Sequence, residues 1–206
     1  MALLIHARSA VDAGALDDAD RRATILVLAD AALASLDARA CERLLGRRCM
    51  LLALVRGELG GPGLAAALDA NWLAAREGSV LGIASPAIDP VVASTLARRV
   101  GNARARRLLL IGERSLPAEA ALELGVADSL VAAEVDSLKW LHGWLAARSA
   151  RAMLSGSGLV RRRGGDALER AEFARLFSEG VPRRGLRMFL DKKSLDFSDD
   201  LEVVTI

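Results

Sequence analysis

Met50-Leu51-Leu52-Ala53-Leu54-Val55-Arg56-Gly57-Glu58-Leu59-Gly60-Gly61-Pro62-Gly63-Leu64-Ala65-Ala66-Ala67-Leu68-Asp69-Ala70-Asn71-Trp72-Leu73-Ala74-Ala75 is the stretch on which the fold turns. The unbroken apolar run Met50 to Val55 reads as a strand buried on both faces. Four glycines crowd into Gly57–Gly63, a turn, and Leu64 to Leu68 then reads as helix. Pro62 falls near the first helical turn, where a missing N–H costs little. Asn71 to Ala75 reads as the next strand. The order is strand, glycine-rich turn, helix, strand.

Outward from there the same alternation continues. Thr24 to Ala29 is a buried strand, and residues 37 to 47 read as a helix with Asp37 as N-cap. Pro86 and Pro90 bracket a turn. Residues 91–100 and 103–111 read as two helices stopped from merging by Gly101-Asn102. Leu116-Pro117-Ala118-Glu119 opens a further helix that ends at Gly125, and Val126 to Val131 is a short strand. Upstream, Leu3, Leu4, Ala7, Val11 and Leu16 recur at helical spacing, with Asp17-Asp18 as a polar break. From Val135 onward the pattern is almost wholly helical, broken at Ser155-Gly156-Ser157-Gly158 and at Gly164-Gly165. The expectation is an α/β core over residues 1–134 and a helical region over 135–206.

Composition narrows the classes of function. The chain has 206 residues and a formal net charge of +2, which argues against a nucleic-acid protein with a concentrated basic face. Arg161-Arg162-Arg163 reads as a solvated loop between helices. Cys41 and Cys49 imply no disulfide framework, and with His6 and His142 far apart there is little material for a metal site. Apolar runs are too short to span a bilayer, and Asp12, Asp17 and Asp18 interrupt what a signal peptide would keep apolar. A soluble cytoplasmic protein that binds neither membrane nor nucleic acid is expected.

Four blocks, taken in order, resemble the crotonase (enoyl-CoA hydratase/isomerase) family. They are the segment Ala53–Ala75, the helix pair Leu96–Gly112, the helix and strand Pro117–Val131, and Phe173–Lys193. The resemblance spans about residues 24 to 197. It implies a spiral of strand–strand–helix turns, here truncated at the N-terminus, with C-terminal helices that assemble a homotrimer or hexamer. It also implies an acyl thioester as substrate, on coenzyme A or a carrier protein, with no separate cofactor. The chemistry rests on two backbone N–H groups that hold the thioester oxygen as an enolate forms, helped by a helix dipole.

The sequence departs from the family pattern at the points that matter most. Pro62 stands where the donor glycine sits, leaving Gly61 or Gly63 to substitute. The second donor is expected near Ser35-Leu36, with Leu36 as the candidate. The glutamate inside the helix becomes Ala65, and the second glutamate becomes Ser85 or falls in a gap. Asp89 aligns with a position where some branches carry a catalytic aspartate, although Asp89-Pro90 is also a good helix start. Lys192-Lys193 matches a basic pair near CoA phosphates, or is a charged helix end. Glu58 reads as a structural or surface carboxylate, Trp140 and Trp144 as core or interface, and His142 as solvated. Two functions stay open: an enzyme of the isomerase, hydratase or lyase type with Asp89 as acid/base, or a non-catalytic subunit that binds a thioester or a partner enzyme.

Overall fold

In a computed structural model the chain is described over residues 2–83, 90–110, 115–162 and 165–206. Its elements run β1 (Ala2–Ala7), α1 (Ala13–Arg22), β2 (Ile25–Ala29), α2 (Ala31–Ala34), α3 (Ala38–Leu45), β3 (Met50–Val55), β4 (Glu58–Leu59), α4 (Gly61–Asp69), β5 (Trp72–Arg76) and β6 (Val80–Leu81). They continue α5 (Pro90–Val100), α6 (Asn102–Leu110), β7 (Leu116–Pro117), α7 (Ala118–Glu123), β8 (Ser129–Val131), α8 (Ser137–Ala146), α9 (Ala150–Arg162), α10 (Asp166–Ser178), α11 (Val181–Leu190) and β9 (Leu201–Thr205).

The main sheet has the order β8-β5-β3-β2-β1-β9, and every pairing in it is parallel. The two central strands, β2 and β3, are buried at every residue, as their continuous apolar sequences require. Leu26 and Leu28 of β2 with Leu51, Ala53 and Val55 of β3 face a core shared with α1, α3, α4 and α7. Ile25, Val27, Met50, Leu52 and Leu54 face the other side, where Leu141 and Leu145 of α8 and Ala150 of α9 cover them. Helices on both faces are what lets a parallel sheet hide two apolar surfaces.

The readings of β2, β3, α4, β5, α5 and α6 hold, as do Asp37, which caps α3 by accepting from Ala40 N at 2.7 Å, and Gly101, whose φ of +83° breaks α5 from α6. Three expectations need correction. Residues 2–16 are not a helix. Ala2–Ala7 is β1, and Asp17-Asp18 lies inside α1 rather than at a break. Here α1 starts instead at Asp12, whose carboxylate accepts from Ala15 N at 2.8 Å. Ser155–Gly158 does not interrupt the helical region, since α9 runs through it; neighbouring packing outweighs the poor helix preference of glycine. Finally, the chain does not stay helical to its end. Leu201–Thr205 returns as β9 and pairs with β1, Ala2 opposite Leu201 through His6 opposite Thr205.

The small sheet β4-β6-β7 positions the glycine-rich turn. Val80 N donates to Gly57 O at 2.9 Å and Gly82 N to Leu59 O at 2.8 Å, so the chain entering α4 is tied down on both sides of Glu58. At the opposite end, α4 is held by charge. Arg99 of α5 donates to the carbonyls of Leu68 and Ala70, each at 3.0 Å, and to Val126 O, and pairs with Asp128. Arg47 of the α3–β3 loop and Arg98 meet on Asp69, the last residue of α4. Trp72 and Trp144 stack at 4.8 Å between ring centres, and Trp140 is half-buried beside the same core, while His142 is exposed.

Candidate functional site

Parallel α/β sheets bind ligands beyond the carboxyl ends of their strands, where loops from neighbouring strands diverge. Here β2 runs into α2 and β3 into the turn before α4. Between them lies a crevice of about 230 Å³ lined by Asp30, Ala31, Leu33, Leu54, Arg56 and Glu58, among others. A larger groove, about 1350 Å³, lies at the amino ends of β3 and β5. Its polar groups Asp69, Arg98, Arg99 and Asn71 are already engaged with one another, with backbone carbonyls or with Ser157, so it reads as a structural seam.

The turn into α4, next to the crevice, follows from local sequence. Gly61 has a φ of +57°, a left-handed value that glycine adopts freely. That single step turns the chain from β4 into α4 and sets Pro62 at the first residue with helical preference. Gly63 has a different reason to lack a side chain. A Cβ there would overlap the carbonyl oxygen of Leu33 and meet Leu59 Cδ1 at 3.0 Å. The start of α4 therefore rests directly on the segment that follows β2. The first intrahelical bond of α4 is Leu64 N to Gly60 O at 3.3 Å, so the amides of Gly61 and Gly63 precede it and Pro62 has none to offer. These amides lie at the positive end of the α4 dipole.

The segment after β2 differs from the sequence expectation. Leu36 is buried, and its N–H donates to Leu33 O at 3.3 Å. Ser35 N likewise donates to Ala31 O. The short helix α2 intervenes, and the amides that precede its first bond, Ala34 N to Asp30 O at 3.0 Å, are those of Ala31, Ala32 and Leu33. Ala31 lines the crevice and Leu36 does not.

Asp30 carries no motif that marks it in the sequence. It joins β2 to α2 with φ 42° and ψ −106°, and its carboxylate makes no capping bond to α2. Burial holds its carboxyl above the ordinary aspartate value, against the opposing fields of Arg56 and Arg76. Ala65, where the resemblance calls for a glutamate, is fully buried among apolar side chains. Ser85 and Asp89 lie outside the described residues. Lys192 and Lys193 close α11, with Lys193 Nζ 3.7 Å from Asp191, and do not line the crevice. Among the described residues no group of His, Cys, Asp and Glu side chains is arranged to hold a metal ion. Nor is any described helix long and apolar enough to cross a membrane.

The chain has the fold of the enoyl-CoA hydratase/isomerase structures. It is similar to an enoyl-CoA hydratase/isomerase family member at 23% identity, covering 90% of this chain and 85% of that one with a TM-score of 0.67. An enoyl-CoA hydratase from a Polaromonas species matches at 22% identity over 89% and 86% of the two chains, TM-score 0.67. An enoyl-CoA hydratase subunit from Geobacillus kaustophilus matches at 21% over 90% and 85%, again at 0.67. No family model matches the sequence, and no curated protein does.

Proposed function

We propose that the chain is a crotonase-family protein that binds an acyl thioester, on coenzyme A or on a carrier protein, and stabilises its carbonyl oxygen as an enolate develops. The observation that carries this reading is the close approach of Gly63 to the Leu33 carbonyl, which sets the start of α4 against α2, beside the crevice that Ala31, Leu33 and Leu59 line. Preorganised amides act where charge appears in the transition state, and removing one such donor typically costs about 10²–10³ in rate. The substrate itself carries the coenzyme or pantetheine, so no further cofactor enters. A second reading, a thioester-binding subunit without turnover, is favoured by Pro62 and by the buried Ala65, which remove a donor and an acid from the helix side.

Self-assembly through the C-terminal helices fits their surface. Phe173, Leu186, Phe189 and Leu190 are exposed at 63%, 54%, 74% and 76% on α10 and α11, more apolar area than a free surface helix ordinarily shows. A homotrimer or hexamer is the assembly proposed. The test of function is a titration with a short acyl-CoA, the same acyl-pantetheine and free CoA, followed by melting temperature. A ligand that binds the native state must raise it, by about 2.7 kcal/mol of stabilisation at a hundredfold excess over Kd. Both thioesters are expected to raise it and free CoA to do so less; no shift with either thioester sinks the reading.

A further inference from the structure

We propose that Asp30 is the carboxylate that moves a proton in this crevice, an inference that rests on the thioester reading above. Two non-glycine residues among those described have positive φ, Asp30 and Lys192. Lys192 (φ 53°) follows the C-cap of α11, where a left-handed residue is the common way for a helix to end. Asp30 has no such excuse. Its ψ of −106° lies far from the left-handed helical well, in a region that strains any residue with a Cβ. Its backbone is pinned on both sides, Asp30 N to Leu54 O at 3.2 Å and Ala34 N to Asp30 O at 3.0 Å, so the strain is built in.

Glycine would adopt this conformation with far less strain, yet an aspartate stands here, and its side chain does not serve the obvious purpose of capping α2. Asp30 lines the crevice next to Ala31, whose amide precedes the first bond of α2. Among the described lining residues the carboxylates are Asp30 and Glu58, both exposed, and of the two it is Asp30 whose backbone is strained. Arg56 and Arg76 leave the ends of β3 and β5 side by side, one residue beyond the Val55–Ala75 register, and both fields bear on Asp30. They keep the carboxylate ionised beside a developing enolate. Desolvation by its neighbours works the other way, raises its carboxyl and makes it a stronger base.

In the proposed step the Asp30 carboxylate takes a proton from the α-carbon of the thioester. The electrons of that C–H bond form the C–C double bond of the enolate, and the carbonyl π pair moves to the oxygen held by the amides. The resulting carboxylic acid returns the proton to carbon. Charge and atoms balance with no further reactant.

The experiment follows hydrogen–deuterium exchange at the α-carbon of butyryl-CoA in D2O with the full chain, alongside the melting-temperature shift that the same thioester produces. Asp30→Asn keeps the shift and slows exchange by about 10²-fold or more. Asp30→Gly does the same and also raises the unliganded melting temperature by about 2–6 °C through relief of strain. Loss of exchange on Asp89→Asn or Glu58→Gln with none on Asp30→Asn overturns the proposal. Butyryl-CoA that binds the native chain without exchanging also overturns it, while leaving the thioester reading standing. No binding by any thioester removes both.

Discussion

Gly63→Ala probes the contact on which the site depends. The added methyl would collide with the Leu33 carbonyl oxygen, a backbone atom held by its own bond from Leu36 N, and would press on Leu59 Cδ1. Neither backbone can turn aside as a flexible side chain would, so α4 and the α2 segment must separate. Overpacking of this kind costs about 1–3 kcal/mol. Alanine's better helix preference returns at most about 1 kcal/mol, less in a first turn. A net loss of about 1–2 kcal/mol is expected, equivalent to about 2–8 °C in melting temperature for a chain of this size. Gly156→Ala is the matched comparison. Gly156 lies inside α9 with nothing within 4 Å of where the new methyl would sit, so the same substitution is expected to stabilise by about 0.5–1 kcal/mol. Thermal and urea denaturation followed by circular dichroism read both variants. A Gly63→Ala protein as stable as the parent would refute the close approach of α4 to α2, and with it the geometry beside the crevice.

Other expectations follow from the same structure. Arg99→Met strands the carbonyls of Leu68, Ala70 and Val126 and leaves Asp128 unpaired, so the urea midpoint should fall by the equivalent of about 3 kcal/mol or more; a loss under about 1 kcal/mol would mean that α4 is not anchored there. His6 is buried on β1, its Nε2 has no hydrogen-bond partner among the described residues, and burial with the charges of Arg8 and His142 pushes it down to about 4. The unfolded chain therefore binds a proton more readily than the native one, and stability present above pH 6.5 should drain away as the pH falls toward 4, by at most roughly 3 kcal/mol. His6→Phe should flatten that part of the stability profile, and an unchanged slope would clear His6. Pro62→Gly restores an amide at the start of α4; tighter binding of an enolate-mimicking thioester is expected if a donor is missing there, whereas equal or weaker binding would show that Gly61 or Gly63 already supplies it.

How much of the fold is legible in the sequence depends on whether the determining interaction is local. The central strands β2 and β3 are readable because burial on both faces leaves a continuous apolar run. Likewise α3 and the α5–α6 break are readable because Asp37 and Gly101 act on their own neighbours. For β1 the reading fails, because Leu3, Leu4 and Ala7 satisfy a helical spacing as well as a short strand, and what decides is pairing with β2 and with β9 at the far end of the chain. In the site, Gly61 and Gly63 are visible as glycines, but the reason for each, a left-handed turn in one and a carbonyl contact in the other, appears only in three dimensions. For Leu36, the bond from its amide to the Leu33 carbonyl at the end of α2 is a turn closure that no residue type marks in the sequence. Asp30 escapes notice because backbone strain leaves no mark on a sequence.

The most direct test is to map backbone amides. In a ¹⁵N-labelled sample titrated with a short acyl-pantetheine thioester, the amide resonances of Ala31, Gly61 and Gly63 should move the furthest, downfield as they donate to the thioester oxygen. Those around Trp72, Arg98 and Trp144, in the groove at the other end of the strands, should stay in place. Shifts concentrated in that groove, or unmoved amides at the starts of α2 and α4 with thioester bound, would contradict a carbonyl-binding crevice between them.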